Sequence, residues 1–150
     1  MNDPHQEAGG PLYQHLEASI ALLHRYYRQY QTFLRKQFDI SPAEMDLIAY
    51  LARQGGSKMR VVCGHFGYKL STFTSMVDRA EADGIVVRVA SPMDRRVTLL
   101  MLTERGNTIY REYSEHIRGA ARLLHAQWEV QPMHHFFKGL EALSDHLQQL

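Results

Sequence analysis

One cysteine, Cys63, stands in 150 residues. It excludes an internal disulfide and any zinc knuckle built from several thiolates, and it suits a reducing compartment. No run of 18 apolar residues occurs, so no segment has the length and character of a membrane-spanning helix. Residues 1–10 are polar and lack the charged-then-apolar order of a secretory signal, from which a cytoplasmic protein with no membrane partner is expected. Internal repeats and low-complexity linkers are also missing. There is no nucleophile and base at motif spacing and no phosphate-cradling glycine loop, so neither catalysis nor a cofactor is expected. Nine histidines include the adjacent His134 and His135, but no His-x-x-x-His pair or cysteine stands beside them, and no preformed metal site is expected.

What is present is one domain's worth of chain, 45% hydrophobic, with enough apolar material for a core. The net charge of +1 conceals an uneven distribution. Residues 58–96 hold seven Lys and Arg (Lys58, Arg60, Lys69, Arg79, Arg88, Arg95, Arg96) against four acids, while the remainder holds ten against twelve. The middle of the chain is therefore the candidate anion-facing region.

Apolar residues over 11–39 fall at Leu12, Leu16, Ile20, Leu23, Tyr27, Tyr30, Leu34 and Phe38, in steps of three and four. This predicts an amphipathic helix of about seven turns, too long for one small domain to cover, so part of its stripe is expected to meet another chain. Ser41-Pro-Ala-Glu44 is a capping box with Pro at the first helical position. The helix it opens carries Met45, Ile48 and Leu51 inward and stops at Gly55-Gly56. Residues 59–66 follow as a short helix with Val62 and Phe66 inward, despite its poor helix formers. Ser71 is placed as the N-cap of a helix with Phe73, Met76, Val77 and Ala80 on one face and Gly84 at its end. Residues 85–90 and 97–102 are β-rich runs joined by a six-residue loop. Thr103 caps a second long helix bearing Ile109, Tyr113, Ile117, Ala120, Leu124 and Trp128, and Pro132 opens a last one bearing Phe136, Leu140, Leu143, Leu147 and Leu150.

Three short helices followed by a β-hairpin, between long helices with surplus apolar stripes, is a mainly α fold with a minor β component: a winged helix-turn-helix lobe. The helix from Ser71 takes the recognition position. Its N-terminal face offers Ser71, Thr72, Thr74 and Ser75 with Lys69 just before it, hydroxyls and backbone amides that serve a simple helix cap or a phosphate and major-groove contact equally well. The hairpin tip, Asp94-Arg95-Arg96, is either a solvated ion pair or a wing suited to a narrow, electronegative minor groove. Its place after the helix-turn-helix favours the wing and points to double-stranded DNA as partner.

The run from Val62 to Arg88, including Ser71-Thr-Phe-Thr-Ser-Met-Val-Asp-Arg79, then Asp94-Arg-Arg-Val97 and Leu102-Thr-Glu-Arg-Gly106, resembles the MarR family of bacterial transcriptional regulators. In element order the resemblance extends over the whole chain. It implies a single domain over 1–150, with the lobe at about 41–102 and dimerisation helices at about 11–39 and 103–150. It further implies a homodimer reading a pseudo-palindromic operator as a ligand-responsive repressor. The alternative is a dimeric protein-interaction module that kept the fold and lost its operator. Carried onto this chain, Ser71, Thr72 and Thr74 become groove or phosphate contacts, Arg95 or Arg96 the wing arginine, and Asp94 its orienting carboxylate. Arg79 matches a family arginine for which pairing within the lobe and DNA contact both stay open.

Three positions depart from the family pattern: Ser75 where an arginine is usual, Ala80 where a core leucine is usual, and Gly64 where a polar helix former is usual. The first removes a cation, which lowers salt dependence by about one unit of slope per phosphate contact. The second leaves space for Phe66 or Phe73 to fill. Cys63 occupies a small-residue position between the two helices of the motif and is expected to be a buried structural thiol. In the family an effector pocket lies between the dimerisation helices and the lobe. The aromatic group His24, Tyr26, Tyr27, Tyr30, Tyr110 and Tyr113 is the candidate wall for a small aromatic or phenolic effector, or else packing within the dimer.

Overall fold

The computed structural model describes residues 10–91, 94, 96–127 and 130–148. Trp128 and Leu150 lie outside them, as do the side chains of Leu12, Leu124, Leu143 and Leu147. The chain forms two compact units, one running to Asn107 and the other Thr108–Leu150.

In the first unit, α1 (Pro11–Phe38) starts with Pro behind Gly10 and ends where Asp39 adopts the left-handed conformation, φ 56°, its amide bonded to the Arg35 carbonyl. Only its last turns enter the core, through Leu34 and Phe38. Of the expected stripe Ile20 and Tyr27 stay exposed and Leu16, Leu23 and Tyr30 are half-buried, while Tyr13, Leu22 and Tyr26 add exposed apolar surface outside it. α2 (Pro42–Gln54) forms the predicted capping box: the Ser41 amide donates to Glu44 Oε2 at 2.7 Å, and the Glu44 amide donates back to Ser41 Oγ at 3.3 Å. It packs against α1 and the sheet, and so buries a wider face than the sequence stripe implies, Leu47 and Ala49 joining Met45, Ile48 and Leu51.

The Gly55-Gly56 stop leads into a two-residue strand, β1 (Ser57–Lys58), that no sequence pattern announces. Gly56 has φ 113° and its Cα sits where a Cβ would meet Met101 Cγ at 3.1 Å and the Leu100 carbonyl at 3.3 Å, so only glycine lets the chain approach β3 this closely. α3 (Met59–His65) and α4 (Leu70–Ala82) make the helix-turn-helix, with Val62, Phe73, Val77 and Ala80 buried and Phe66 half-buried. Phe73 is wholly enclosed and stacks at 6.4 Å on Tyr68. Cys63 is buried, as expected, and its thiol donates to the Tyr68 carbonyl at 3.3 Å.

β2 (Val86–Ala90) and β3 (Thr98–Leu102) form the hairpin in the register Val86 to Leu102 through Ala90 to Thr98, giving an antiparallel sheet of order β1-β3-β2. The loop is held by the Ser91 amide on the Val97 carbonyl and the Val97 amide on the Asp94 carbonyl.

Thr103 caps α5 (Glu104–Gln127): its hydroxyl accepts from the Gly106 amide at 3.1 Å and donates to the Gly84 carbonyl at 2.6 Å. In the second unit α5 and α6 (Val130–Gln148) leave Ile117, Leu123, Phe136 and Phe137 exposed. α6 begins two residues ahead of the expected start, with Pro132 inside its first turn, a position where the missing amide costs no hydrogen bond.

Gly106 explains the last glycine of the Leu-Thr-Glu-Arg-Gly run. A Cβ there collides with the Ile85 carbonyl and comes within 3.1 Å of Leu102 Cδ2, so α5 leaves the sheet only because this residue has no side chain. Gly106→Ala is expected to destabilise the protein by about 1–3 kcal/mol despite its better helix propensity. A thermal melt that shows an unchanged or raised midpoint contradicts this.

Candidate nucleic-acid interface

The recognition helix starts one residue earlier than the Ser71 cap implies. Lys69 is its N-cap, extended at φ −64°, ψ 138°, and its carbonyl accepts from the Phe73 amide at 3.0 Å; no side chain caps the helix. Ser71 therefore lies inside the first turn, a correction with a consequence for chemistry. The amides of Leu70, Ser71 and Thr72 have no acceptor within the helix, and the Ser71 and Thr72 hydroxyls are exposed beside them. Free N–H groups and hydroxyls at the positive end of a helix form a site for phosphate oxygens.

Thr74 and Ser75 are placed differently. Thr74 Oγ1 donates to the Leu70 carbonyl at 2.8 Å and Ser75 Oγ to the Ser71 carbonyl at 3.1 Å. With their hydrogens committed to the helix, both oxygens keep only acceptor lone pairs, which suit the exocyclic amino groups of adenine or cytosine rather than phosphate.

Between this helix and the hairpin runs a cleft of about 790 Å³, lined by Lys58, Met59, Arg60, Leu70, Thr74, Asp78, Arg88, Arg96, Val97 and Thr98. β1 sets Lys58 opposite Leu99 on the central strand, so the short third strand carries Lys58 and Arg60 to the wing side of the lobe. Neither was distinguished from the general charge excess of the sequence, because only the pairing of residues 57–58 with 99–100 brings them there. Among the described residues Lys58, Arg60 and Arg96 make no ion pair, whereas Arg88 reaches both Asp78 and Glu81 of α4. Burial pushes the Arg88 guanidinium down, but the hydrogen bonds from Asp78 and Glu81 together outweigh it and its pKa ends above the ordinary arginine value.

At the wing tip Asp94 Oδ1 accepts from the backbone amide of Arg96 at 2.9 Å. The carboxylate thus shapes the turn that presents Arg96, whose side chain is exposed. Arg95 lies outside the described residues. Arg79 stands on α4 with its guanidinium 4.0 Å from Glu44 Oε1; Arg79 is 63% exposed and Glu44 3%. That separation and exposure make a weak pair, so Arg79 borders the capping box while remaining open to solvent.

Of the aromatic group, Tyr26 and Tyr30 stack on α1 with ring centroids 6.4 Å apart, and His24 and Tyr27 are exposed beside them. Tyr110 and Tyr113 lie on α5 in the second unit, both half-buried.

The helix-turn-helix, the three-stranded wing and the basic cleft between them define a winged helix-turn-helix protein. Residues 38–97 match the MarR family model. The transcriptional repressor IacR of Pseudomonas putida is 34% identical over 87 residues, covering 58% of this chain and 52% of that protein. The transcriptional regulator MhqR of Bacillus subtilis is 27% identical over 103 residues, covering 64% and 71% respectively. The chain spans about half the length of several of these curated relatives. Among solved structures, Streptococcus pneumoniae FabT in complex with DNA is similar at a TM-score of 0.78 and 25% identity, over 91% of this chain and 98% of that one. Streptomyces coelicolor AbsC, a MarR family transcriptional regulator, shares the fold at a TM-score of 0.74 and 18% identity, over 94% and 97%. Over this matched region, which is the winged lobe, the chain is similar to the MarR family.

If Arg96 meets a phosphate or the minor groove, Arg96→Ala lowers the slope of log affinity against log salt by about 0.9 on any duplex. Anisotropy titrations over a salt series check this, and an unchanged slope removes Arg96 from the interface.

Proposed function

We propose that this protein is a DNA-binding transcriptional regulator that acts in the cytoplasm as a homodimer, each lobe taking one half of a pseudo-palindromic operator. The observation that carries the reading is the cleft between α4 and the wing, where Lys58, Arg60 and Arg96 stand without carboxylate partners among the described residues, beside a helix start with free amides and hydroxyls. A surface of that charge, on a helix of that placement, fits the phosphate backbone on both sides of a major groove. FabT, similar over nearly the whole chain, is described bound to DNA, and IacR is described as a repressor, which supports the same direction here.

Dimerisation is supported by the exposed apolar stripe of α1 and the exposed Ile117, Leu123, Phe136 and Phe137 of α5 and α6. A second copy is the occupant that the family resemblance implies, and it sets two recognition helices about 34 Å apart, one turn of B-DNA. Repression relieved by a small aromatic or phenolic effector is the accompanying expectation, with His24, Tyr27, Tyr30, Tyr110 and Tyr113 as candidate contacts. Ligand binding changes DNA affinity only by the difference it makes between two spacings of the reading helices.

Ser75 keeps a second reading alive. Its hydroxyl is spent on the Ser71 carbonyl and it carries no charge, as a fold that has lost its operator would allow. Titration of the protein against the intergenic DNA upstream of its own gene, at two salt concentrations, separates the two. A specific, salt-dependent shift is expected; the absence of both shift and slope favours the protein-interaction module. For the effector, a phenolic acid that binds the native dimer is expected to raise the melting temperature and release DNA. A panel of such acids that does neither removes the ligand from the proposal.

A further inference from the structure

Arg88 lines the cleft with Lys58, Arg60 and Arg96, but it is held unlike them. Its Nη2 lies 2.5 Å from Asp78 Oδ1, its Nη1 bonds Glu81 Oε2, and its backbone amide donates to Glu81 Oε1 at 3.1 Å. Asp78 and Glu81 are three residues apart and share one face of α4, so a single residue of β2 is bonded three times to one face of the recognition helix. The side chain is 25% exposed, against 59% for Asp78 and 37% for Glu81. β2 is an edge strand of the sheet, and Glu81 occupies its outward amide, so the helix also closes the edge.

The charge balance decides what Arg88 can do. A swing of its guanidinium to a DNA phosphate would leave two carboxylates bare, Asp78 in the cleft itself and Glu81 one turn further along α4, close to further negative charge. Thr74, one turn before Asp78, lines the cleft on the same side. A bond set that fixes Asp78 against β2 therefore fixes where Thr74 stands relative to the wing.

We propose that Arg88 is a positioning residue for DNA reading: neutralised by Asp78 and Glu81, it locks the recognition helix to the wing strand and sets the ratio of specific to non-specific affinity without contacting phosphate. This rests on the DNA-binding function proposed above. It predicts a separation between two quantities that a direct contact would change together, namely the affinity ratio and the salt slope.

The test uses the full chain and two labelled duplexes: one that the wild type selects from a random-sequence library, and a scrambled duplex of equal length and composition, each titrated over a sodium chloride series. Arg88→Gln bares the two carboxylates and is expected to weaken both duplexes, the selected one about tenfold more than the scrambled one, with neither slope lowered by the roughly 0.9 of a lost phosphate contact. Arg88→Lys keeps the charge but has one nitrogen in place of the Nη1 and Nη2 that each hold one carboxylate, and is expected to lose the ratio as well. The double variant Asp78→Asn/Glu81→Gln frees Arg88; it should bind the scrambled duplex more tightly, steepen the slope by about 0.9 and lower the ratio. A fall of about 0.9 in slope for Arg88→Gln on both duplexes makes Arg88 a phosphate contact and overturns the proposal, as does an unchanged ratio. If Arg88→Gln melts below the assay temperature, the double variant decides alone, and an unchanged ratio there overturns it. A wild type that selects no duplex sinks the regulator function and this proposal with it, which separates that failure from failure of the Arg88 role.

Discussion

The distance between the reading helix and the wing depends on one arrangement of charge, two carboxylates of α4 closed on the Arg88 guanidinium of β2. Other bonds reinforce it from below: the Ile85 amide reaches the Ala80 carbonyl at 2.8 Å, and the Thr103 hydroxyl and amide gather the carbonyls of Gly84 and Ile85. The end of α4, the start of β2 and the start of α5 thus meet at one backbone junction. Gly106 lets them meet, since any side chain at that position runs into the Ile85 carbonyl.

The same arrangement sorts the cations of the lobe. Arg88 is spent internally and Arg79 stands loosely beside the buried Glu44, while Lys58, Arg60 and Arg96 border the cleft without carboxylate partners among the described residues. A residue's contribution to a DNA-facing field depends on whether a carboxylate has already claimed it, and five basic side chains in one lobe divide on that point. The hydroxyls of α4 divide in a similar way. Ser71 and Thr72 sit at the open helix start, and Thr74 and Ser75 have given their hydrogens to the helix carbonyls.

Much of the fold was legible before any coordinates. The capping box at Ser41, the hairpin at 85–102, the Thr103 cap and the long terminal helices all stand within a residue or two of where periodicity and turn chemistry put them, because each is a local signal. The displaced start of α4 is instructive. Ser71 has the chemistry of a cap, but an extended Lys69 behind the Gly67 turn begins the helix first, and a main-chain conformation of that kind leaves no mark on side-chain preference.

The sequence by itself determined the element order, the recognition helix with its hydroxyl face, the wing with Asp94 and Arg96, and the surplus apolar surface of α1. All of these follow from spacing along one chain. Only the tertiary structure decided that Ser57–Lys58 is a strand, that Lys58 and Arg60 border the helix–wing cleft, and that Arg88 belongs to Asp78 and Glu81. The reason is physical: an ion pair or a two-residue strand is defined by partners 7, 10 or about 40 positions away, and such a partner exists only after the hairpin has folded back onto the helix.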